Sequence, residues 1–287
     1  MAGDTMEKLC DLHTHSTYSD GTYSPIQLIA EAERVGLSAI ALTDHNTLTG
    51  LPEFLSAAET SSVEAIPGIE FSTDYMEMEL HIVCLFIKPE HYPTITEITD
   101  EINRRKQQSN IDLIDKLRQA GFDISYDRIK ATMPQGEPNR ALIGAELMRL
   151  GYVTSVKESF QKLLGAKCGY YTPPKHIDAF ELISIIRNLG AVPILAHPFL
   201  SIKDEPQLEV FLAKAAACGL LGIETRYPLF SDEQTSSLEI LAKKYGLAQS
   251  GGSDFHGENK PDIRLGSGKG ALQVPLSFLN DLRQRTI

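Results

Sequence analysis

Nine residues could do chemistry together in this chain: His13, His15, Asp20, His45, Glu70, His81, His197, Asp254 and His256. They include six of the eight histidines, and most of them close an apolar run. His13 and His15 flank Thr14, and alternate side chains of a strand point to the same face, so both imidazoles can reach one point from a rigid base. Asp254-Phe255-His256 repeats that spacing near the other end of the sequence. Nitrogen and oxygen donors without sulfur suit zinc, manganese or iron(II). Nine donors are too many for one ion and enough for two or three, and a carboxylate such as Glu70 can bridge two of them. Each motif is weak alone. A His-x-His arises by chance, and a lone histidine is more often a hydrogen-bonded core or surface residue. The recurrence of such residues at successive strand ends makes the metal reading. His91 and His176, in polar loop-like stretches, read as surface residues.

Elements with a regular rhythm must position these groups. Cys10 to His15 reads as a short strand. Ser24-Pro25-Ile26-Gln27 opens a helix with a capping box and a proline at its first position, and Gly36 can end it. Ser38 to Thr43 is apolar nearly throughout, as for a strand buried on both faces of a parallel sheet, and it stops at Asp44-His45. Residues 50–60 read as a helix. Strands follow at Val63–Ile69, interrupted by Pro67-Gly68, and at Leu80–Ile87; a hairpin-like reversal would bring Glu70 and His81 together. The rhythm resumes late in the chain. Strands at Ala191–Ala196, Leu221–Thr225 and Leu247–Gly251 alternate with helices at 178–188, 206–218 and 232–245. About seven buried strands approach the eight of the commonest α/β barrel, whose strand ends converge on one catalytic face.

Between these halves the character changes. Residues 100–120, 142–150 and 156–164 read as helices, residues 134–138 as a loop, and no buried strand is evident. The expected organisation is a discontinuous α/β barrel, 9–88 with 175–287, carrying a helical insert or lid, 89–174. A net charge of −11 over 287 residues argues against long duplex nucleic acid as a partner. It leaves room for a small anionic substrate, because divalent cations reverse the local sign. Four scattered cysteines, no apolar leader and no apolar run near 18 residues point to a soluble, cytoplasmic protein with no membrane partner.

His13-Thr14-His15 with Ser19-Asp20-Gly21, Thr43-Asp44-His45, Gly68-Ile69-Glu70, His81, Ala196-His197-Pro198 and Ser253-Asp254-Phe255-His256 together resemble the PHP (polymerase and histidinol phosphatase) family. The resemblance implies a distorted (β/α)7 barrel and a three-metal centre. One ion would lie among His13, His15, Glu70 and Asp254, a second among Glu70, His81 and His197, and a third among Asp20, His45 and His256. Asp44 would orient its neighbours rather than ligate, since its side chain points away from that of His45. The implied activity is metal-dependent phosphoester hydrolysis by water activated on the ions, with no protein nucleophile assigned. The position of the insert resembles the subgroup acting on nucleotides, such as 3′,5′-bisphosphate nucleotidases, with a 5′-to-3′ exoribonuclease on short RNA as the alternative. An amidohydrolase-type C–N hydrolase often bridges its metals with a strand-end lysine, where this chain has Glu70. A non-catalytic metal-binding module is disfavoured by the intact ligand set. Substrate phosphate calls for arginine forks, for which Arg104, Arg105, Arg140 and Arg226 are the candidates. Related phosphoesterases carry Arg-x-His near Arg140, and here Leu142 replaces that histidine.

Overall fold

The computed structural model describes residues 8–132 and 138–286, so all but Pro138 of the expected 134–138 loop lies outside the described residues. In chain order the elements are β1 (Cys10–Asp11), α1 (Pro25–Arg34), β2 (Ala39–Leu42), α2 (Leu51–Ala58), β3 (Glu64–Tyr75), β4 (Met78–Leu85), α3 (Tyr92–Gln119), α4 (Tyr126–Ala131), α5 (Arg140–Arg149), α6 (Val156–Ser159), β5 (Ile177–Asp178), α7 (Ala179–Asn188), β6 (Val192–Leu195), α8 (Pro198–Ser201), α9 (Glu205–Ala217), β7 (Gly222–Arg226), α10 (Asp232–Lys244), β8 (Ala248–Gly251) and α11 (Leu276–Arg283). They form two compact units, Met1–Glu97 with Ile177–Ile287, and Ile98–His176. The break falls inside α3 because that helix starts at Tyr92, ahead of the expected Asp100.

The first unit is a sheet in the order β1-β2-β3-β4-β6-β7-β8, with short β5 also paired to β3. It nearly closes on itself. Leu12 N–H donates to Gly251 at 3.2 Å, and Asp254 N–H to His13 at 2.9 Å, so the segment after β8 lies along the segment after β1. The distorted (β/α)7 barrel expected from the sequence is therefore the fold. The distortion is β4, antiparallel to both β3 and β6 in an otherwise parallel path. Pro67-Gly68 does not interrupt β3, which runs on to Tyr75. Pro67 still accepts from Phe86 N–H, and at Gly68 a Cβ would stand 2.9 Å from Leu85 and 3.0 Å from the Leu42 carbonyl. The hairpin turns at Met76, whose φ of 57° lies in the left-handed region.

All four residues of β2 are buried, as a strand covered on both faces requires. Ala39 and Ala41 join a core with Cys10, Leu12, Ile66, Val83, Leu85, Val192 and Ile194, to which α11 adds Leu279 and Leu282. Helix starts follow the sequence: Ser24 and Gln27 form the capping box of α1, Asp178 caps α7, and Ser231 with Gln234 repeats the box at α10. Every regular element among the described residues of the second unit is a helix. Leu113, Ile114 and Leu117 of α3 pack with Ile129 of α4 and Ile143 and Leu147 of α5. Gly144 lets α5 and α6 approach, since a Cβ there would lie 2.4 Å from Ser159 Oγ.

Candidate metal centre

The nine strand-end residues meet at one end of the barrel unit. His13 and His15 are fully buried, their rings 5.1 Å apart. Glu70, also fully buried, lies at the middle of the group. Its Oε2 is 3.2 Å from His13 Nε2, 3.3 Å from His15 Nε2 and 3.0 Å from His45 Nδ1. Its Oε1 is 2.9 Å from His81 Nδ1 and 3.0 Å from His197 Nε2. Register explains these contacts. Ser72 of β3 pairs with His81 of β4, so the ring of His81 falls beside Glu70, and His45 bridges directly to Glu70 where β2 runs out. Asp254 Oδ1 lies 3.2 Å from His15 Nε2, and Asp20 Oδ1 3.2 Å from His256 Nε2.

Four overlapping groups have ligand atoms within 4.8 Å of one another: His15, Asp20, His45 and His256; His13, His15 and Asp254; His13, Glu70 and His197; His45, Glu70 and His81. Among the described residues these groups contain the nine positions and no others. The grouping differs from the implied three-ion partition in placing His15 beside Asp20 and His45 beside His81. The donor set fits divalent cations on a structural ground. His13 Nε2, both ring nitrogens of His15, Glu70 Oε2 and His197 Nδ1 are buried without a hydrogen-bond partner, a costly arrangement that cations would relieve.

The acids and imidazoles of the group act strongly on one another's charge. Burial opposes ionisation of Glu70, yet His13, His45 and His81 hold its carboxyl well below the usual range. Burial likewise opposes ionisation of Asp20 and Asp254, and the surrounding imidazoles override it. His15 is pushed down to about 4 by burial and by His256 and His45, so it is neutral and ready to ligate. Burial disfavours a charged His81, but Glu70 and Glu79 carry it up to about 10.

The backbone is bent to make this site. His197 has φ 26°, Asp254 φ 54° and Asn46 φ 49°, values uncommon outside glycine. Each is held by neighbours. His197 N–H donates to Glu224 Oε2 at 2.6 Å, Asp254 N–H to the His13 carbonyl, and Asn46 exchanges bonds with Ser72 at 3.0 and 3.1 Å.

A ring of groups that the sequence reading did not single out, buried except for the part-exposed Lys260, surrounds the ligands. Glu224 Oε1 lies 2.8 Å from His13 Nδ1; a proton on Nδ1 there leaves the Nε2 lone pair facing inward. Asp11 accepts from His13 N–H, Ser253 N–H, Ser253 Oγ and Gly266 N–H. Tyr227 donates to Asp254 Oδ2 at 2.7 Å, and burial together with Asp254 pushes its phenol well up, so it remains a donor. Lys260 donates to the same oxygen at 2.6 Å. The signal for Glu224 was present as an acid closing the apolar run Leu221–Ile223. Asp44 is placed as expected of an orienting group, accepting from Ser16 N–H, Ser16 Oγ and Ser19 Oγ at 2.6 Å each.

The arginines are placed as follows. Arg226 is turned from the centre: it pairs with Glu239 at 2.5 Å and lies 5.7 Å from the Phe278 ring. The physical reason is a β-bulge. Glu224 pairs with Ser250 but Arg226 pairs with Gly251, so strand alternation breaks between them. In the second unit, Arg104 and Arg105 share Glu101, Arg105 also donates to the Lys175 carbonyl, and Arg140 sits 4.1 Å over the Tyr171 ring. His176, expected at the surface, is buried at 5% exposure.

The sequence profile of the PHP domain matches residues 11–170, more than half of the chain. The chain belongs to the PHP domain family. His197, Asp254 and His256 lie beyond the matched segment, and the barrel brings them to it. Among curated relatives, a 5′-3′ exoribonuclease of Haemophilus influenzae is 32% identical over 88% of this chain and 91% of its own. A phosphoribosyl 1,2-cyclic phosphate 1,2-diphosphodiesterase of Eggerthella lenta is 28% identical, over 86% of this chain and 94% of its own. A 3′,5′-nucleoside bisphosphate phosphatase of Chromobacterium violaceum is 27% identical, over 88% and 90%. The crystal structure of a proposed metal-dependent phosphoesterase from Bifidobacterium adolescentis superposes with a TM-score of 0.85 at 25% identity, covering 98% of this chain and 97% of that one. PHP membership, the donor set and these relatives agree on metal-dependent phosphoester hydrolysis. No helix of the described residues is long and apolar enough to cross a membrane.

Proposed function

We propose that this PHP protein hydrolyses phosphate esters of small nucleotides, such as 3′,5′-bisphosphate nucleotides, at the nine-residue centre. The observation that supports this most is Glu70, a buried carboxylate in contact with five imidazoles, which suits a group shared between ions. His13, His15, Glu70 and Asp254 are proposed to hold one ion, Glu70, His81 and His197 a second, and Asp20, His45 and His256 a third. Bound manganese, zinc or iron would supply an activated water and positive charge for the phosphoryl oxygens. The chain's own residues do the rest. Glu224 keeps the Nε2 lone pair of His13 directed inward. Asp11 and Asp44 fix the loops that bear Asp254 and Asp20. The burial of His13, His15 and Glu70 keeps bulk water from competing for the donors. Arg104, Arg105 and Arg140 are proposed, on the strength of the sequence, to take substrate phosphate in exchange for their present partners.

The 32% identical exoribonuclease favours a second reading, stepwise removal of 5′ nucleotides from short RNA. One assay separates the two. Manganese-loaded protein is given adenosine 3′,5′-bisphosphate, adenosine monophosphates and a 5′-phosphorylated RNA, with His13→Ala as control. Inorganic phosphate released from the bisphosphate and lost in the variant is the expected result. Mononucleotide release from the RNA alone selects the exonuclease, and turnover of none refutes both.

A further inference from the structure

We propose that Lys260 is a substrate-binding cation of this centre, its ammonium taking a phosphoryl oxygen of the phosphoester. The inference rests on the phosphoesterase reading above and adds a contact to it. Lys260 Nζ stands 2.6 Å from Asp254 Oδ2, while Oδ1 of the same carboxylate faces the imidazoles of His15 and His256 at 3.2 and 3.4 Å. The ammonium is thus one carboxylate away from the ligand atoms.

Two features separate Lys260 from a simple counter-ion. Asp254 Oδ2 already has a buried donor in Tyr227 at 2.7 Å, so that oxygen does not need the lysine to be satisfied. Moreover, a fixed positive charge beside a ligand carboxylate competes with a divalent cation for it, and so weakens metal binding. A lysine there makes chemical sense when an anion also enters. The lysine side chain is 39% exposed, against 6% for Asp254, and so is open to an entering molecule. Its anchorage is firm. The helical turn Gly257–Asn259 precedes it, Lys260 N–H donates to Gly257, Glu258 N–H to Thr22 Oγ1, and Asn259 Nδ2 to the Asp20 carbonyl at 2.7 Å. The segment bearing the lysine is therefore tied to the loop bearing Asp20. With Arg226 turned to Glu239 by the bulge in β7, Lys260 is placed to do what that arginine was expected to do.

The test uses the full chain, manganese-loaded, with inorganic phosphate as the probe. Wild type, Lys260→Met and Lys260→Arg are compared for bound metal, by elemental analysis after gel filtration, and for phosphate affinity by calorimetry. Loss of one charge-assisted bond predicts phosphate affinity about 10- to 100-fold weaker in Lys260→Met. Metal content should be unchanged or higher, and the arginine variant should recover part of the affinity. Phosphate affinity within twofold of wild type in Lys260→Met overturns the proposal, and so does a fall in bound metal, which would mark the lysine as structural. Phosphate binding that depends on Lys260 in a protein that turns over no phosphoester would sink the functional reading while upholding the contact. Normal phosphoester turnover with Lys260-independent phosphate binding would sink the contact alone.

Discussion

Removing Asp11 should unfold the barrel unit more readily than any surface change, although Asp11 touches no ligand atom. Its carboxylate is fully buried, and four donors converge on it: Ser253 N–H at 2.9 Å and His13 N–H at 3.3 Å on Oδ1, Ser253 Oγ at 2.5 Å and Gly266 N–H at 2.8 Å on Oδ2. In Asp11→Asn the amide oxygen can keep the two bonds of Oδ1, and the Ser253 hydroxyl can turn to accept. Gly266 N–H then faces an NH2 group. One lost charge-assisted bond and one stranded donor predict a cost of about 2–3 kcal/mol. In Asp11→Ala three backbone N–H groups lose their acceptor, and at about 1–3 kcal/mol each the cost is about 3–9 kcal/mol. That is a large share of the ordinary ~5–15 kcal/mol of a folded protein. The assay is urea unfolding of metal-free protein followed by far-UV circular dichroism, because the chain has no tryptophan. Two units make one global transition unsafe to assume, so midpoints and slopes are fitted for each transition. The expected order of stability is wild type, then Asn, then Ala, at unchanged slope. An Asp11→Ala protein within 1 kcal/mol of wild type would refute the reasoning.

Glu224 offers a second perturbation. Its two oxygens serve His13 Nδ1 and His197 N–H, and glutamine can accept from only one of them. Glu224→Gln should weaken metal binding by about 10-fold and Glu224→Ala by up to about 100-fold, measured by competition with a chelating dye. Arg226→Ala should change kcat/KM by less than about twofold, since its guanidinium serves Glu239 and Phe278; a loss of about 100-fold would restore it as a phosphate clamp.

Much of this architecture is legible in the sequence because apolar strands advertise themselves. Ser38–Thr43 and Ala191–Ala196 are apolar enough to be read as buried strands, and Ala39–Leu42 and Val192–Leu195 within them are buried throughout. The nine candidate ligands stand at the ends of such runs, which is why a linear reading can collect them. What was hidden depends on pairing partners. Nothing local in Glu64–Tyr75 shows that its polar second half stays extended, since β4 supplies the other side of the ladder. A bulge leaves no mark on composition, so Arg226 read as facing the centre. His176 stands in a polar stretch, and its burial comes from packing that local polarity does not encode. Lys260 and Tyr227 escaped notice because a single oxygen of Asp254 defines their role.

Three buried carboxylates that are not counted among the ligands tie the centre together, and their arrangement bears on how it is built. Asp11 joins the end of β1 to the loop after β8, Asp44 joins the end of β2 to the Ser16–Ser19 loop, and Glu224 joins β7 to both His13 and the backbone of His197. Every tie links a ligand-bearing segment to a different strand. The ligand-bearing segments are therefore held by hydrogen bonds to groups that are not themselves ligands, and the unpartnered nitrogens of His13, His15 and His197 are what cations would satisfy. Positions set in advance spare bound ions the ordering of loops, so binding free energy can appear as affinity rather than be consumed in folding.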